Sequence, residues 1–248
     1  MAQPLTDAIN ALTRYANETT GQSNQTLSDA VETLVEGYGQ GGGENHEIDI
    51  LSGELSGEYT NEDVIYLKNN ALSYEPFLTK VNFPNLETVN GNALYNCQRL
   101  AEINLPKLRK ATTNYNFASC PLLERFVAPS IYGVFGAFSF QYDRALSIVD
   151  CGGSFDGFGG QVFTGCSVLK TLILRPASLV SLGNINNFNS TPFASGGTGG
   201  TLYVPQSLIS SYQSATNWST ILGYANNQIL PIEGSIYETQ YADGTPIE

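Results

Sequence analysis

The 248-residue sequence is poor in charge, and basic residues are the scarcer sign, with 11 Lys and Arg against 23 Asp and Glu. The resulting net charge of −12 repels nucleic-acid phosphates and anionic lipid headgroups. No run of 18 or more apolar residues exists, and the start MAQPLTDAIN lacks the basic and apolar regions of a secretory signal peptide. We therefore expect no nucleic-acid partner, no membrane insertion, and synthesis in a cytoplasm.

The residues and motifs that support catalysis are also scarce. The single histidine, His46, follows a glycine run in a polar stretch, so we expect it to be solvated. Nucleophile-elbow, zinc-protease, Walker A and dinucleotide-binding motifs are missing, and the four cysteines lack the CxxC or CxxH spacing of zinc sites. We predict no enzymatic activity, no catalytic residue, no metal site and no cofactor.

A repeated phrase is present instead. The stretch NFPNL at 82–86 returns as NLPKL at 104–108, and extending the alignment gives five units. The units begin at steps of 22, 23, 23 and 23 residues, with the leading leucines Leu78, Leu100, Leu123, Leu146 and Leu169. Such a regular period indicates stacked structural repeats.

Each unit opens with a pattern typical of a short strand. The third and fifth positions after the leading leucine are apolar or small, as in Val81 and Phe83 or Ile103 and Leu105. Alternation with period two indicates a strand with one buried face. Proline follows in most units, and because it has no N–H we expect it at the strand end. The sequence therefore predicts one strand per repeat.

The second half of each unit carries another aligned pair of positions. The pairs are Leu94 with Cys97, Phe117 with Cys120, Phe140 with Asp143, and Phe163 with Cys166. The fourth cysteine, Cys151, falls on an inward strand position. Because free cysteine behaves as a small buried hydrophobe, we interpret all four as core thiols rather than as disulfides or metal ligands.

The consensus LxxLxLPxL with a later F/LxxC resembles the BspA-like leucine-rich repeat family. The fourth unit departs from it, with Asp143 at the cysteine position and Gly152 and Gly153 near the expected proline. The resemblance extends into 201–234, where a last strand at 202–204, a short helix near 207–215 and the only tryptophan look like the family's terminal module. The resemblance implies an α+β leucine-rich-repeat solenoid whose exposed sheet binds ligands.

The first 43 residues have a different pattern. Segments 5–16 and 27–38 each carry an apolar helical stripe and predict a helical hairpin over 1–38, followed by a glycine-rich linker over 39–46. Two helices this short are only marginally stable on their own in water, so we expect them to dock on another molecule or another part of the chain. The predicted docking residues are Leu5, Ile9, Leu12, Leu27, Val31 and Leu34. The alternative is that the hairpin folds back on the repeats.

This hairpin and its GYGQGG sequence resemble N-terminal segments of structural proteins of tailed bacteriophages. The resemblance implies a virion protein, decorating the head or belonging to a fibre or tail, that contacts other virion proteins through 1–40 and forms a homo-oligomer in the particle. The remaining predicted boundaries are an N-terminal cap at 47–76, leucine-rich repeats at 77–200, and a strand and helix cap with a tail at 201–248. The alternatives are a bacterial cell-surface adhesin and a capsid-cementing or scaffold protein.

Two surfaces are candidates for contact with a host-surface glycan or protein. The first is the outward strand face, formed by Lys80, Asn82, Glu102, Asn104, Arg125, Asp150 and Thr171. The second is a set of aromatic residues without an assigned inward position: Tyr132, Phe135, Phe138, Tyr142 and Phe155. The alternative for the first set is that its members are only solvated, with the alternating Lys, Glu and Arg forming cross-strand charge pairs. The second set suits sugar stacking or a subunit contact, and it could equally fill irregular loops.

Overall fold

The structure is a computed structural model that describes residues 56–247. The predicted helical hairpin, its docking residues, the linker with His46, and positions 47–55 of the predicted N-terminal cap lie outside the described residues. Within 56–247, no helix is both long and apolar enough to cross a membrane.

The described residues contain many short strands and few helices. The strands are β1 (Ser56–Thr60), β2 (Tyr66–Leu67), β3 (Phe77–Asn82), β4 (Thr88–Val89), β5 (Glu102–Asn104), β6 (Arg125–Ala128), β7 (Tyr132–Phe135), β8 (Ile148–Cys151), β9 (Ser154–Phe158), β10 (Thr171–Leu174), β11 (Ser181–Leu182), β12 (Thr201–Val204) and β13 (Gln228–Pro231). The helices are α1 (Ile209–Ser214) and α2 (Trp218–Leu222), and 3₁₀ turns span Ile185–Phe188, Gln206–Leu208 and Ile236–Glu238.

The predicted strand that opens each repeat is present, and it pairs in parallel with the same strand of the next repeat except between β5 and β6, where the ladder is divided into two sheets. The orders are β1-β3-β5 in one sheet and β6-β8-β10-β12-β13 in the other. Equivalent positions face each other, as Lys80 pairs with Glu102 and Arg125 with Ile148. The repeat period read from the sequence therefore sets the sheet register.

A second strand in most repeats was missed by the sequence analysis. It forms a separate parallel ladder, with β4 beside β2 and with β7-β9-β11 in another sheet. An isolated bridge between Thr88 and Lys110 continues this ladder. Three of these strands, β2, β4 and β11, are only two residues long, which is too short for a period-two pattern to be recognised. Each repeat thus presents two narrow sheet faces rather than the single one predicted.

The return segments are shaped by two left-handed positions in each repeat. Asn92 and Asn96 have φ of 57° and 61°, and Phe138 and Tyr142 have 62° and 66°. Between these positions the backbone bonds to the next repeat, and the N–H of Leu72 donates to the carbonyl of Ala93 at 2.7 Å. Adjacent repeats are therefore joined by backbone hydrogen bonds on the turn side as well as along the strands.

The predicted inward positions form the core. All five leading leucines are fully buried, as are Leu94 and the phenylalanines aligned with it. Phe117, Phe140, Phe163 and Phe188 stack in one column, with successive ring centroids 5.3, 5.7 and 5.6 Å apart. Among the inward strand positions that we named, Ile103 is only half-buried. The core is thus a continuous column that crosses repeat boundaries.

The last repeat is covered by α1, α2 and β13. Trp218, the only tryptophan, is 1% exposed and donates its indole N–H to the carbonyl of Val180 at 2.8 Å. Tyr212 packs edge-on against it and accepts a hydrogen bond from the N–H of Val180 at 3.1 Å. Both side chains satisfy the backbone of Val180, directly before β11.

Candidate functional site

The outward face of the first sheet carries an ordered row of charges. The Lys80 ammonium lies 3.4 Å from the Glu58 carboxylate and 3.6 Å from that of Glu102. Ion pairs this exposed contribute at most about 1 kcal/mol each, so their main effect is to orient the side chains. The suggested cross-strand charge pairs are thus present at Lys80 and Glu102.

A second row on the same face consists of amides. The Asn104 side-chain amide donates to Asn82 Oδ1 at 2.7 Å, and the Asn82 amide donates to the Thr60 hydroxyl at 3.4 Å. We call this part of the molecule the open face, which consists of Glu58, Thr60, Lys80, Asn82, Glu102, Asn104 and Arg125. The side chains on β1, β3 and β5 stand on neighbouring strands and are oriented by each other before any ligand arrives, and Arg125 follows in β6 of the other sheet.

The predicted outward face does not continue unchanged to Asp150. That carboxylate is fully buried, so its expected exposure was wrong, and Thr171 is half-buried. The Arg175 guanidinium donates two hydrogen bonds to the Asp150 carboxylate, from Nε to Oδ1 at 2.7 Å and from Nη2 to Oδ2 at 2.8 Å. Burial raises the pKa of Asp150, while Arg175 acts in the opposite direction.

Asp150 is buried because residues 233–247, which we call the strap, lie across this part of the sheet. Arg175 donates to the carbonyls of Tyr237 and Gln240 at 2.8 and 3.0 Å, and Asp150 accepts the N–H of Ala242 at 2.9 Å. The Arg175 guanidinium also lies 4.8 Å from the centre of the Tyr241 ring. Sequence reasoning missed Arg175 because its partners are 62 and 65 residues away in the chain.

The five residues of the predicted aromatic patch do not lie on one surface, because some are buried in the core and others are exposed. Phe135 and Phe155 are core residues, each 1% exposed, so their predicted place on the surface was wrong. Along β7, exposed Tyr132 and Val134 alternate with Gly133 and buried Phe135, so Phe135 lies on the inward face and Val134 is 43% exposed. Tyr132 and Tyr142 are exposed as predicted, whereas half-buried Phe138 stacks on Tyr115 at 4.7 Å.

Tyr132 lines a groove of about 780 Å³ beside the second ladder. The Arg109 guanidinium lies 5.6 Å from the centre of its ring. Two acidic and two basic residues meet there with hydroxyl groups: Glu87, Lys107, Arg109, Ser130, Tyr132, Ser154 and Asp156. The mixture suits a ligand with many hydrogen-bonding groups. Arg109 and Asp156 belong to the second ladder or to turns near it, which the sequence analysis left unassigned.

The four cysteines are free and buried, which confirms their interpretation as core thiols. Three donate to carbonyls of the preceding repeat: Cys97 to Leu72 at 3.0 Å, Cys120 to Leu94 at 3.1 Å and Cys166 to Phe140 at 2.9 Å. Burial raises the pKa of Cys120, Cys151 and Cys166 well above the usual thiol range. These thiols are hydrogen-bonded parts of the core rather than reactive groups.

Comparisons with known proteins show which family this chain belongs to. No curated protein matches this sequence. The crystal structure of the pneumococcal vaccine antigen PcpA is similar, with 15% identity and a TM-score of 0.45 over 70% of this chain and 41% of PcpA, so the chain spans less than half of that protein. The model of the BspA type leucine rich repeat region matches six copies across residues 65–193, more than half of the sequence. The chain therefore belongs to the BspA-type leucine-rich-repeat family.

Proposed function

We propose that this protein is a non-enzymatic binding protein whose leucine-rich-repeat solenoid adheres to a glycan or protein on a cell surface. The observation that carries the proposal is the open face. Its charged and amide side chains on β1, β3 and β5 are held on parallel strands and are hydrogen-bonded or ion-paired to their neighbours. A ligand that binds there pays little side-chain entropy, which is the usual gain from a preorganised site.

The chemistry of the open face favours a polar ligand. Asn82 and Asn104 supply amide donors and acceptors, and Glu102 and Arg125 add exposed charges of both signs. Sugar hydroxyls and peptide groups can exchange hydrogen bonds with all of these. The affinity of one such site is expected to be modest, and several copies in one particle would raise the overall affinity by avidity.

The proposed setting is the virion of a tailed bacteriophage, where residues 1–40 dock on other virion proteins and the repeats project as a homo-oligomer. The resemblance of the N-terminal sequence to such docking segments supports this part of the proposal. A bacterial cell-surface adhesin and a capsid-cementing protein are the alternatives. Mass spectrometry of purified phage particles and of bacterial surface fractions would separate a bacterial adhesin from a virion protein, since only a virion protein copurifies with particles. Binding of the chain to host cells would then separate a host-binding virion protein from a capsid-cementing one.

The binding proposal is tested with the fluorescently labelled full chain on candidate host cells. We expect saturable binding that falls after enzymatic removal of surface polysaccharide if the ligand is a glycan, or after protease treatment if it is a protein. The double substitution Asn82→Ala, Asn104→Ala should weaken binding by about tenfold or more. Gln213→Ala, an exposed change on α1, is the matched control and should leave binding unchanged. The absence of saturable binding, or equal binding by both variants, would contradict the proposal.

A further inference from the structure

The strap contributes nothing to the hydrophobic core. Ile232, at 8% exposure, is the last buried residue before it, and every position from 233 to 247 is exposed or half-buried. A segment that belonged to the core would be expected to bury at least one large apolar side chain. The strap therefore lies on the sheet in the way that a bound peptide does.

Several contacts of the strap converge on two side chains, Arg175 and Asp150. Beside them, the Tyr237 ring lies edge-on to Tyr203 with centroids 4.9 Å apart, and the Glu233 carboxylate accepts the N–H of Gln206 at 2.9 Å. Arg175 donates to the Tyr237 and Gln240 carbonyls, and Asp150 accepts the Ala242 N–H, so three of the contacts are to main-chain atoms. Tyr241 adds the face of its ring to the guanidinium. The pair thus recognises a short main-chain segment together with one aromatic side chain.

The two side chains are held in place without help from the strap. Asp150 lies in β8, and Arg175 directly follows β10 and donates its own N–H to the carbonyl of Cys151 at 2.9 Å. The two-point contact between guanidinium and carboxylate fixes both planes. Because these contacts do not involve the strap, we expect the pair to keep its geometry when the strap leaves.

We propose that the Asp150–Arg175 pair is a peptide-binding site for a tyrosine-containing main-chain segment, that the strap is its resident occupant, and that the strap of a second copy can replace it. The exchange needs no new contacts, because the second copy offers the same sequence. Gly234, the second residue of the strap, has a left-handed φ of 80°, and a Cβ added there would meet no atom within 4 Å. This inference concerns the covered part of the sheet and does not depend on ligand binding at the open face.

The test uses the full chain with its own strap disabled by Tyr241→Ser and Ala242→Pro. Proline has no N–H to donate to Asp150, and serine removes the ring beside Arg175. The probe is a fluorescein-labelled peptide of the natural sequence SIYETQYADGTPIE, corresponding to residues 235–248, followed by fluorescence anisotropy. We expect saturable binding to the disabled chain and none to the unaltered chain, whose own strap competes at high effective concentration.

Adding Arg175→Lys to the disabled chain should weaken peptide binding by about tenfold or more, because lysine cannot form the two-point contact. A peptide carrying the same Ala242→Pro change is the matched ligand control and should not bind. Thermal unfolding with Trp218 fluorescence checks that each variant is folded. The proposal would be overturned if the disabled chain is folded but does not bind the natural peptide, or if Arg175→Lys leaves its binding of the peptide unchanged.

Hydrogen exchange on the unaltered chain gives a second measurement that needs no variant. The Ala242 amide should exchange by local opening, at least about tenfold faster than the Arg175 amide, which is bonded within the sheet. Exchange of both amides at the same rate, only through global unfolding, would show that the strap is an inseparable part of the fold.

Discussion

At the scale of single residues, Asp143 is a buried acidic side chain at a core position of its repeat. It occupies the position that holds Cys97, Cys120 and Cys166 in neighbouring repeats, and it is fully buried. Its Oδ1 accepts the N–H of Cys120 at 2.7 Å, whereas its buried Oδ2 has no partner among the described residues. Burial raises the pKa of Asp143 well above its usual range, and the hydrogen bond from Cys120 opposes this.

We predict that this carboxyl makes the free energy of unfolding depend on pH. A carboxyl with a higher pKa in the folded chain binds its proton more tightly there, so its contribution is present below about pH 3.9 and is lost as pH rises through the folded pKa. Relative to Asp143→Asn, the unaltered chain should lose about 1.4 kcal/mol for each unit by which the pKa is raised. Urea unfolding followed by Trp218 fluorescence at pH 4 and pH 7 measures this, and a difference independent of pH would contradict it.

The cysteines lead to a second residue-scale prediction. Titration with a thiol reagent should find almost no reaction in the native protein and four reactive thiols after denaturation, because all four side chains are buried and unpaired. Fewer than four thiols in the denatured protein would reveal a disulfide, and rapid native reaction would show that a thiol is accessible.

At the scale of single elements, glycines explain where the fourth repeat departs from its neighbours. An added Cβ at Gly152 would lie 2.2 Å from the carbonyl oxygen of Pro129, and one at Gly153 would lie 2.4 Å from that of Ile131. Gly153 also has a φ of 64°. These glycines allow the turn before β9 to approach the preceding repeat closely, so their role is packing.

Gly136 allows a sharper test of the same effect. A Cβ there would lie 1.8 Å from the carbonyl oxygen of Thr113, while one at Gly160 would meet no atom within 4 Å. We expect Gly136→Ala to lower the free energy of unfolding by about 2 kcal/mol or more, and the control Gly160→Ala to change it by about 0.5 kcal/mol at most. Urea unfolding measures both, and equal effects would show that the backbone at Gly136 yields easily.

Features of the fold that depend on local side-chain periodicity were predictable from the sequence, whereas features that depend on an unpredicted strand or on distant contacts were not. The leading leucines, the cysteines and the first strand of each repeat were predictable because side-chain periodicity reports directly which face is buried. Phe135 was misassigned because it lies in β7, a strand of the second ladder that the sequence analysis did not predict, so its inward position was not recognised. Asp150 was misassigned because its cover comes from Ala242, 92 residues away, and a local pattern carries no information about such a contact.

At the scale of the whole described molecule, stability should vary along the stack. Each repeat contacts mainly its neighbours, so the interior repeats are supported on both sides. We expect the amides of Phe117 and Phe140, which bond to the following repeat at 2.9 Å, to exchange hydrogen more slowly than that of Leu72 in the first described repeat. Mass spectrometry or NMR would measure this, and uniform protection would indicate a single cooperative unit.

The backbone bonds between repeats also make the length of the molecule adjustable in whole steps. On the turn side each repeat offers equivalent donors and acceptors to the next, as in the bonds from Leu94 to Asn116, Phe117 to Ser139 and Phe140 to Val162, so a unit of 22 or 23 residues can be inserted or deleted without leaving these groups unpaired inside the stack. Every unit changes the span by one strand spacing, about 4.8 Å. Because Asp150 and Arg175 lie on adjacent repeats, units added before β6 would lengthen the molecule and leave the strap on its own pair. Duplication or loss of repeats would therefore change the length of the molecule in fixed steps without altering the Asp150–Arg175 pair that binds the strap.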